Sequence, residues 1–164
     1  MTIAVFRDDV VLAEQHAERL LVQYPRVNPY MKSSIYHDLL DTGRLQFKLS
    51  GIDRIAALAR EQLDLAASEH ALVFHASVKG SAYFLAGRTD EAIAALSEGM
   101  AVARRLSGHA DSLAAVAAMP LSAILYERND VPGARALVDR YLGPAASLGL
   151  VELDVSAIDL PVHG

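Results

Sequence analysis

The side chains in this sequence that could do chemistry are its histidines and carboxylates, and two groups are dense enough to weigh. Glu69-His70 with His75 is the first, and His37-Asp38 with Asp41 is the second. Residues five apart stand about 140° apart around a helix at about 100° per residue. A helical metal pair needs the i, i+4 spacing that puts both ligands on one face. Ordinary polar helix positions therefore account for the first group better than metal binding does, and the second reads as the polar face of the helix that holds Leu39 and Leu40. His16, His109 and His163 have no neighbour that would complete a ligand set. No nucleophile elbow, no Ser/His/Asp order and no pair of carboxylates in an obvious cleft can be read. Asp8-Asp9 and Asp90-Glu91 sit at expected helix starts, and Arg104-Arg105 at an expected helix end, where each complements the helix dipole. The expectation is a protein that is not an enzyme and needs no metal or other cofactor.

Composition narrows the class further. A chain of 164 residues fits one domain and can bury a real core. It is 52% hydrophobic and rich in Ala and Leu, both strong helix formers, with only 6% aromatic residues and no Trp. The formal charge of -5 offers no basic face to a phosphate backbone, so no nucleic acid is expected to bind this chain alone. The absence of Cys excludes disulfides and thiolate metal sites. Met1-Thr-Ile-Ala-Val-Phe-Arg-Asp-Asp has neither the charged start nor the apolar run of a signal peptide. Apolar runs such as Leu113 to Met119 stop far short of the roughly 20 residues needed to span a bilayer. A cytoplasmic protein with no membrane partner is expected.

The elements that would carry these residues read as helices throughout, seven in number, and no stretch alternates well enough to be a strand. Asp8 or Asp9 caps a first helix that ends before Pro25. Asn28-Pro29 opens a second, which carries Ile35, Leu39, Leu40 and Phe47 and closes near Gly51. A third carries Ile55, Leu58 and Leu63, and the pattern restarts near Ser68-Glu69 without a proline or glycine. The fourth runs from about Glu69 to Ala86 with Gly87 at the left-handed position beyond it. The fifth spans about Asp90 to Leu106 and is stopped by Ser107-Gly108; the sixth, about Ala110 to Arg128, is apolar enough to be buried on more than one side. Asp130 caps the seventh, Gly143-Pro144 should break or kink it, and Gly149 ends it.

The stretch from Gly80 to Met100 organises the chain. Small Gly80, Ala92 and Gly99 alternate with large Tyr83, Ile93 and Leu96 across a tight turn at Gly87-Arg88-Thr89. That is the pattern of an antiparallel helix pair whose backbones approach closely. Places equivalent to Ala92 fall at Ala13, Ile55 and Ala134, a recurrence of about 40 residues, which in a helical chain signals a solenoid. The stretch resembles a tetratricopeptide repeat, whose Gly, Tyr, turn-Gly, Ala, large apolar and small places are filled by Gly80, Tyr83, Gly87, Ala92, Leu96 and Gly99. Leu125, Asn129, Ala134 and Val138 fill the next copy's Tyr, turn-Gly, Ala and apolar places; Phe47 and Gly51 supply the Tyr and turn-Gly of the preceding one. The motif's Trp place holds Ala76, its Leu place holds Lys79, and no proline closes a unit. Leu125-Tyr-Glu-Arg-Asn-Asp-Val-Pro-Gly-Ala-Arg-Ala-Leu, Gly87-Arg-Thr-Asp-Glu-Ala and Leu142-Gly-Pro-Ala-Ala-Ser-Leu-Gly-Leu are similar to the repeat region of MalT-like, LuxR-type bacterial transcriptional regulators.

The resemblance implies an all-α, right-handed solenoid of antiparallel helix pairs in one domain over 1–164, with pairs at about 29–68, 69–107 and 109–149 and partial units at 8–25 and 150–164. It also implies a non-catalytic sensor or interaction domain of such a regulator, in which an effector or oligomerisation carries the signal. The alternative is a stand-alone scaffold that holds a partner peptide or helix in its concave groove. Neither a phosphate loop nor a helix-turn-helix is read in the chain, so a fragment or stand-alone sensor is expected, with self-association through a terminal helix. Carried over residue by residue, the groove positions are Phe74, Ser77, Ser81, Phe84 and Leu85; then Val116, Met119, Ala123, Tyr126 and Glu127; and Asp38, Asp41, Leu45 and Lys48. This mixture of aromatic, hydroxyl and charged groups suits a peptide or a small polar effector. Phe84, Leu85, Val116 and Met119 could equally be core between stacked helices.

Overall fold

The computed structural model describes residues 10–23, 28–45, 49, 51–106 and 110–147. Among them are seven helices and no strand: α1 Val10–Gln23, α2 Pro29–Leu45, α3 Ile52–Ala66, α4 Glu69–Leu85, α5 Thr89–Arg105, α6 Ala110–Glu127 and α7 Val131–Ser147. None is long and apolar enough to cross a membrane. The cap at Asp8 or Asp9, Pro25, the helix stop at Ser107-Gly108, Gly149 and the partial unit at 150–164 lie outside the described residues.

Local chemistry explains where the helices start and stop. Asn28 caps α2, its side-chain Oδ1 accepting from the Met31 N–H at 2.9 Å. Ser68 caps α4 by accepting from the Ala71 N–H. Gly87 (φ 76°) follows α4 in the left-handed region; its own N–H bonds the Phe84 carbonyl and the Arg88 N–H bonds that of Tyr83. This is a Schellman closure. The same pair of bonds closes α6 through Asn129 (φ 63°). Ala67 (φ 49°) does the same after α3, so the break expected near Ser68 is made by an alanine in a conformation that favours glycine.

Two boundaries differ from expectation. Gly51 (φ 85°) does not close α2, whose described span ends at Leu45; it opens α3, its carbonyl accepting from the Ile55 N–H. Nor does Gly143-Pro144 break α7, which continues to Ser147. Tyr141 and Ala145, one turn apart on either side of the proline, are both fully buried and anchor the helix past it.

Consecutive helices pack as α2 with α3, α4 with α5, and α6 with α7. The α4–α5 contact fixes its direction: a methyl at Gly80 would strike Leu96, and one at Gly99 would strike Ala76. Moving back along α4 moves forward along α5, so the two are antiparallel. Gly80 and Gly99 lie where the backbones are too close for a side chain, and Ala92 and Leu96 between them are fully buried. The first helices also touch one another, α2 with α4 and α4 with α6, whereas α3 and α5, and α5 and α7, do not bring their backbones together among the described residues and are bridged only by long side chains, Arg60 to Glu98 and Arg104 to Tyr141. The core is continuous through these layers, from Leu40 and Ile52 past Val73 and Leu96 to Ile124 and Tyr141.

Candidate functional site

Helix α4 is enclosed on three sides, and its neighbours define what it leaves open. With Phe74 set at 0°, Ala76 and Gly80 point toward α5 at about 200° and 240°. His75, at about 100°, meets His37 of α2. Ser77, at about -60°, donates from Oγ to the Val116 carbonyl of α6 at 2.9 Å. The remaining arc carries Phe74, Val78, Ser81 and Leu85, all half-buried or exposed. Its counterparts by burial are Ser34, Asp38 and Asp41 on α2, and Ser112, Val116, Pro120, Ala123 and Glu127 on α6. The three stripes are carried by helices in mutual contact.

The groove positions named from the sequence distribute unevenly around this face. Phe74 (45% exposed), Leu85 and Tyr126 (50%) present large apolar surface to solvent, and Ala123 and Glu127 are exposed beside them. Ser81 is half-buried on the open stripe. Ser77 is committed to the α4–α6 contact. Phe84 and Val116 are half-buried against the core, and Met119 is buried within it. Asp38 is half-buried, and burial, reinforced by Asp41, pushes its carboxyl above the usual range. Asp41 accepts from Nε and Nη2 of Arg44 at 2.9 and 2.7 Å. Lys48 and the Leu45 side chain lie outside the described residues.

A second feature lies on the other side of α4. A cleft of about 250 Å³ is bounded by α3, α4 and α5. Its rim holds two organised ion clusters. Asp53 accepts from the Tyr83 hydroxyl at 2.8 Å and from Arg88 Nη1 at 2.8 Å. The Arg88 bond, then the Tyr83 bond, holds the Asp53 carboxyl below its ordinary value, while burial and then Asp53 push the Tyr83 phenol up to about 12. Opposite, Arg60 donates to Asp64 at 2.9 Å and to Glu98 at 3.0 Å, tying α3 to α5. Lys79 lies 5.5 Å from the centre of the Tyr83 ring and forms no ion pair among the described residues.

The cleft also reaches His75, which is only 4% exposed. His75 Nδ1 and His37 Nε2 are 2.9 Å apart, so one ring donates and the other accepts, as two neutral imidazoles do. Burial holds the His75 pKa down to about 3, and the neighbouring His37, Lys79 and Arg60 add to the effect against Asp64. Burial lowers His37 as well. The two histidine groups weighed separately in the sequence thus supply one residue each to a single contact. Their separation carries no periodic signal; only the close stacking of α2 on α4 brings them together. Among the described residues no three His, Asp or Glu side chains gather as a metal site. Compared with protein-family models, curated proteins and solved structures, the chain matches none of them.

Proposed function

We infer that this chain is a non-catalytic, tetratricopeptide-like solenoid that binds a partner segment on the face shared by α2, α4 and α6. In the setting its motifs resemble, it serves as the sensor or interaction domain of a MalT-like, LuxR-type regulator. One observation supports this above the others: three first helices touch in succession, and each keeps one stripe that is half-buried or exposed. An extended peptide or a helix would gain most of its affinity from Phe74, Leu85 and Tyr126, since large apolar groups dominate such contacts. Self-association through a terminal helix belongs to the same proposal; Val22 of α1 is 79% exposed.

The test is selection of binding peptides from a displayed library, followed by titration of the winners. Phe74→Ala with Tyr126→Ala should weaken them at least tenfold while leaving the helical circular dichroism unchanged. Peptides that bind the double variant as tightly as the parent would remove the binding face from α4 and α6. The regulator setting has its own check in the flanking coding sequence, where a phosphate loop upstream and a helix-turn-helix downstream are expected.

A further inference from the structure

We propose that the cleft between α3, α4 and α5 is a binding site for a small monocarboxylate with a short apolar body, held by the Lys79 ammonium and by Nε2 of His75. This goes beyond the peptide-binding face, which lies on the opposite side of α4. The volume of about 250 Å³ equals roughly eight water volumes at about 30 Å³ each, room for a ligand on the order of ten non-hydrogen atoms.

Two polar groups there are uncommitted. His75 spends Nδ1 on His37, and its Nε2 has no protein partner among the described residues. Yet no buried side-chain nitrogen or oxygen among them lacks a partner, so Nε2 is reached from the cleft. When His37 Nε2–H donates to His75 Nδ1, the remaining hydrogen of His75 sits on Nε2 and points at the ligand. An acceptor in the cleft selects that tautomer. Lys79 supplies the charge, three donors with no carboxylate in ion-pair contact among the described residues.

The carboxylates at the rim are already engaged, which argues against an amine. Asp53 is taken by Tyr83 and Arg88, and Glu98 by Arg60, so an incoming ammonium would have to displace a guanidinium. An incoming carboxylate displaces nothing. The apolar lining from Ala56, Leu72, Ala76, Ala95 and Val102 suits a short hydrocarbon chain or a single ring.

Hexanoate and benzoate are the probes, titrated into the full chain and followed by amide chemical shifts, with hexanamide and hexylamine as matched controls. Saturable binding of at least one carboxylate is expected, with shifts centred on Ala76 and Lys79 and at least tenfold tighter than either control. Lys79→Gln should weaken it about tenfold, as loss of a charged hydrogen bond does. Ala57→Phe, which fills the mouth from α3, should abolish it, and serves alone should Lys79→Gln not fold. Phe74→Ala on the opposite face should leave it unchanged. Absence of saturable binding, equal binding of hexanamide or hexylamine, indifference to Ala57→Phe or to a folded Lys79→Gln, or loss of binding in Phe74→Ala would each overturn the assignment.

Discussion

Gly99 sits where three helices meet, and moving one methyl group across that junction measures how tightly they are held. A Cβ built at Gly99 lies 2.7 Å from the Ala76 Cβ on α4 and 3.3 Å from the Ala117 Cβ on α6. Carbon atoms prefer about 3.5–4.0 Å, so α5 must retreat by roughly 1 Å from a partner with no flexible end to yield. Overpacking of this kind costs about 1–3 kcal/mol, against a helix-propensity gain for Gly→Ala of about 1 kcal/mol. Gly99→Ala alone should therefore destabilise by up to about 2 kcal/mol. Ala76→Gly alone should lose about 2 kcal/mol, part propensity and part a buried methyl. In the double variant the propensity terms cancel and the methyl returns to nearly the same place from the other helix. Its stability should come within about 1 kcal/mol of the parent, a favourable coupling of about 1–3 kcal/mol. Urea unfolding of all four proteins gives the cycle. Singles that simply add in the double, within about 0.5 kcal/mol, would refute close contact at this junction.

Three further outcomes follow from the same structure. Ala92→Leu, at a fully buried position whose carbonyl lies 3.2 Å from the place of a Gly80 Cβ, should destabilise by about 1–3 kcal/mol in urea melts, and an unchanged midpoint would contradict it. Ala67→Gly, at φ 49° on the surface, should stabilise by about 0.5–1 kcal/mol by relieving left-handed strain, and a lower melting temperature would count against that. Stability should fall below pH 6.5: His75, held down to about 3 when folded and near 6.5 when unfolded, takes up a proton on unfolding, so its contribution is intact above 6.5 and is lost toward 3 at up to about 1.4 kcal/mol per pH unit. Urea midpoints at pH 7.5 and 5 should differ less in His75→Asn than in the parent, and equal slopes would dismiss this histidine as the cause.

What could be read from the sequence is what local rules govern. Helix identity followed from Ala- and Leu-rich stretches, and the turns from Gly87 and from Asn129 in the equivalent place. The close approach at Gly80 and Gly99 was legible because a helix tolerates glycine poorly unless a neighbour needs the space. Boundaries set by more distant forces were not. Pro144 looked like a breaker because its ring and missing N–H argue locally, whereas the burial of Tyr141 and Ala145 is a tertiary effect that outweighs them. Gly51 looked like the end of one helix and proved to be the start of the next, since a left-handed residue serves either side of a turn.

The candidate sites divide along the same line. The open stripe on α4 was partly legible because Phe74, Ser81 and Leu85 share a helical face, which depends only on spacing. Met119 and Ser77 turn inward instead, the one into the core and the other onto the Val116 carbonyl, because α6 crosses α4 at that level. Lys79 stood out only as a charge in a place where the repeat motif wants leucine, and the structure gives that departure a physical setting. A leucine there would be spent on packing; a lysine beside Tyr83, between two clusters whose carboxylates are each bonded to a guanidinium, brings a charge that forms no ion pair among the described residues. A charged residue that breaks a packing pattern and forms no ion pair is the signal to follow, because a half-buried charge without a counter-ion is unfavourable unless something else comes to meet it.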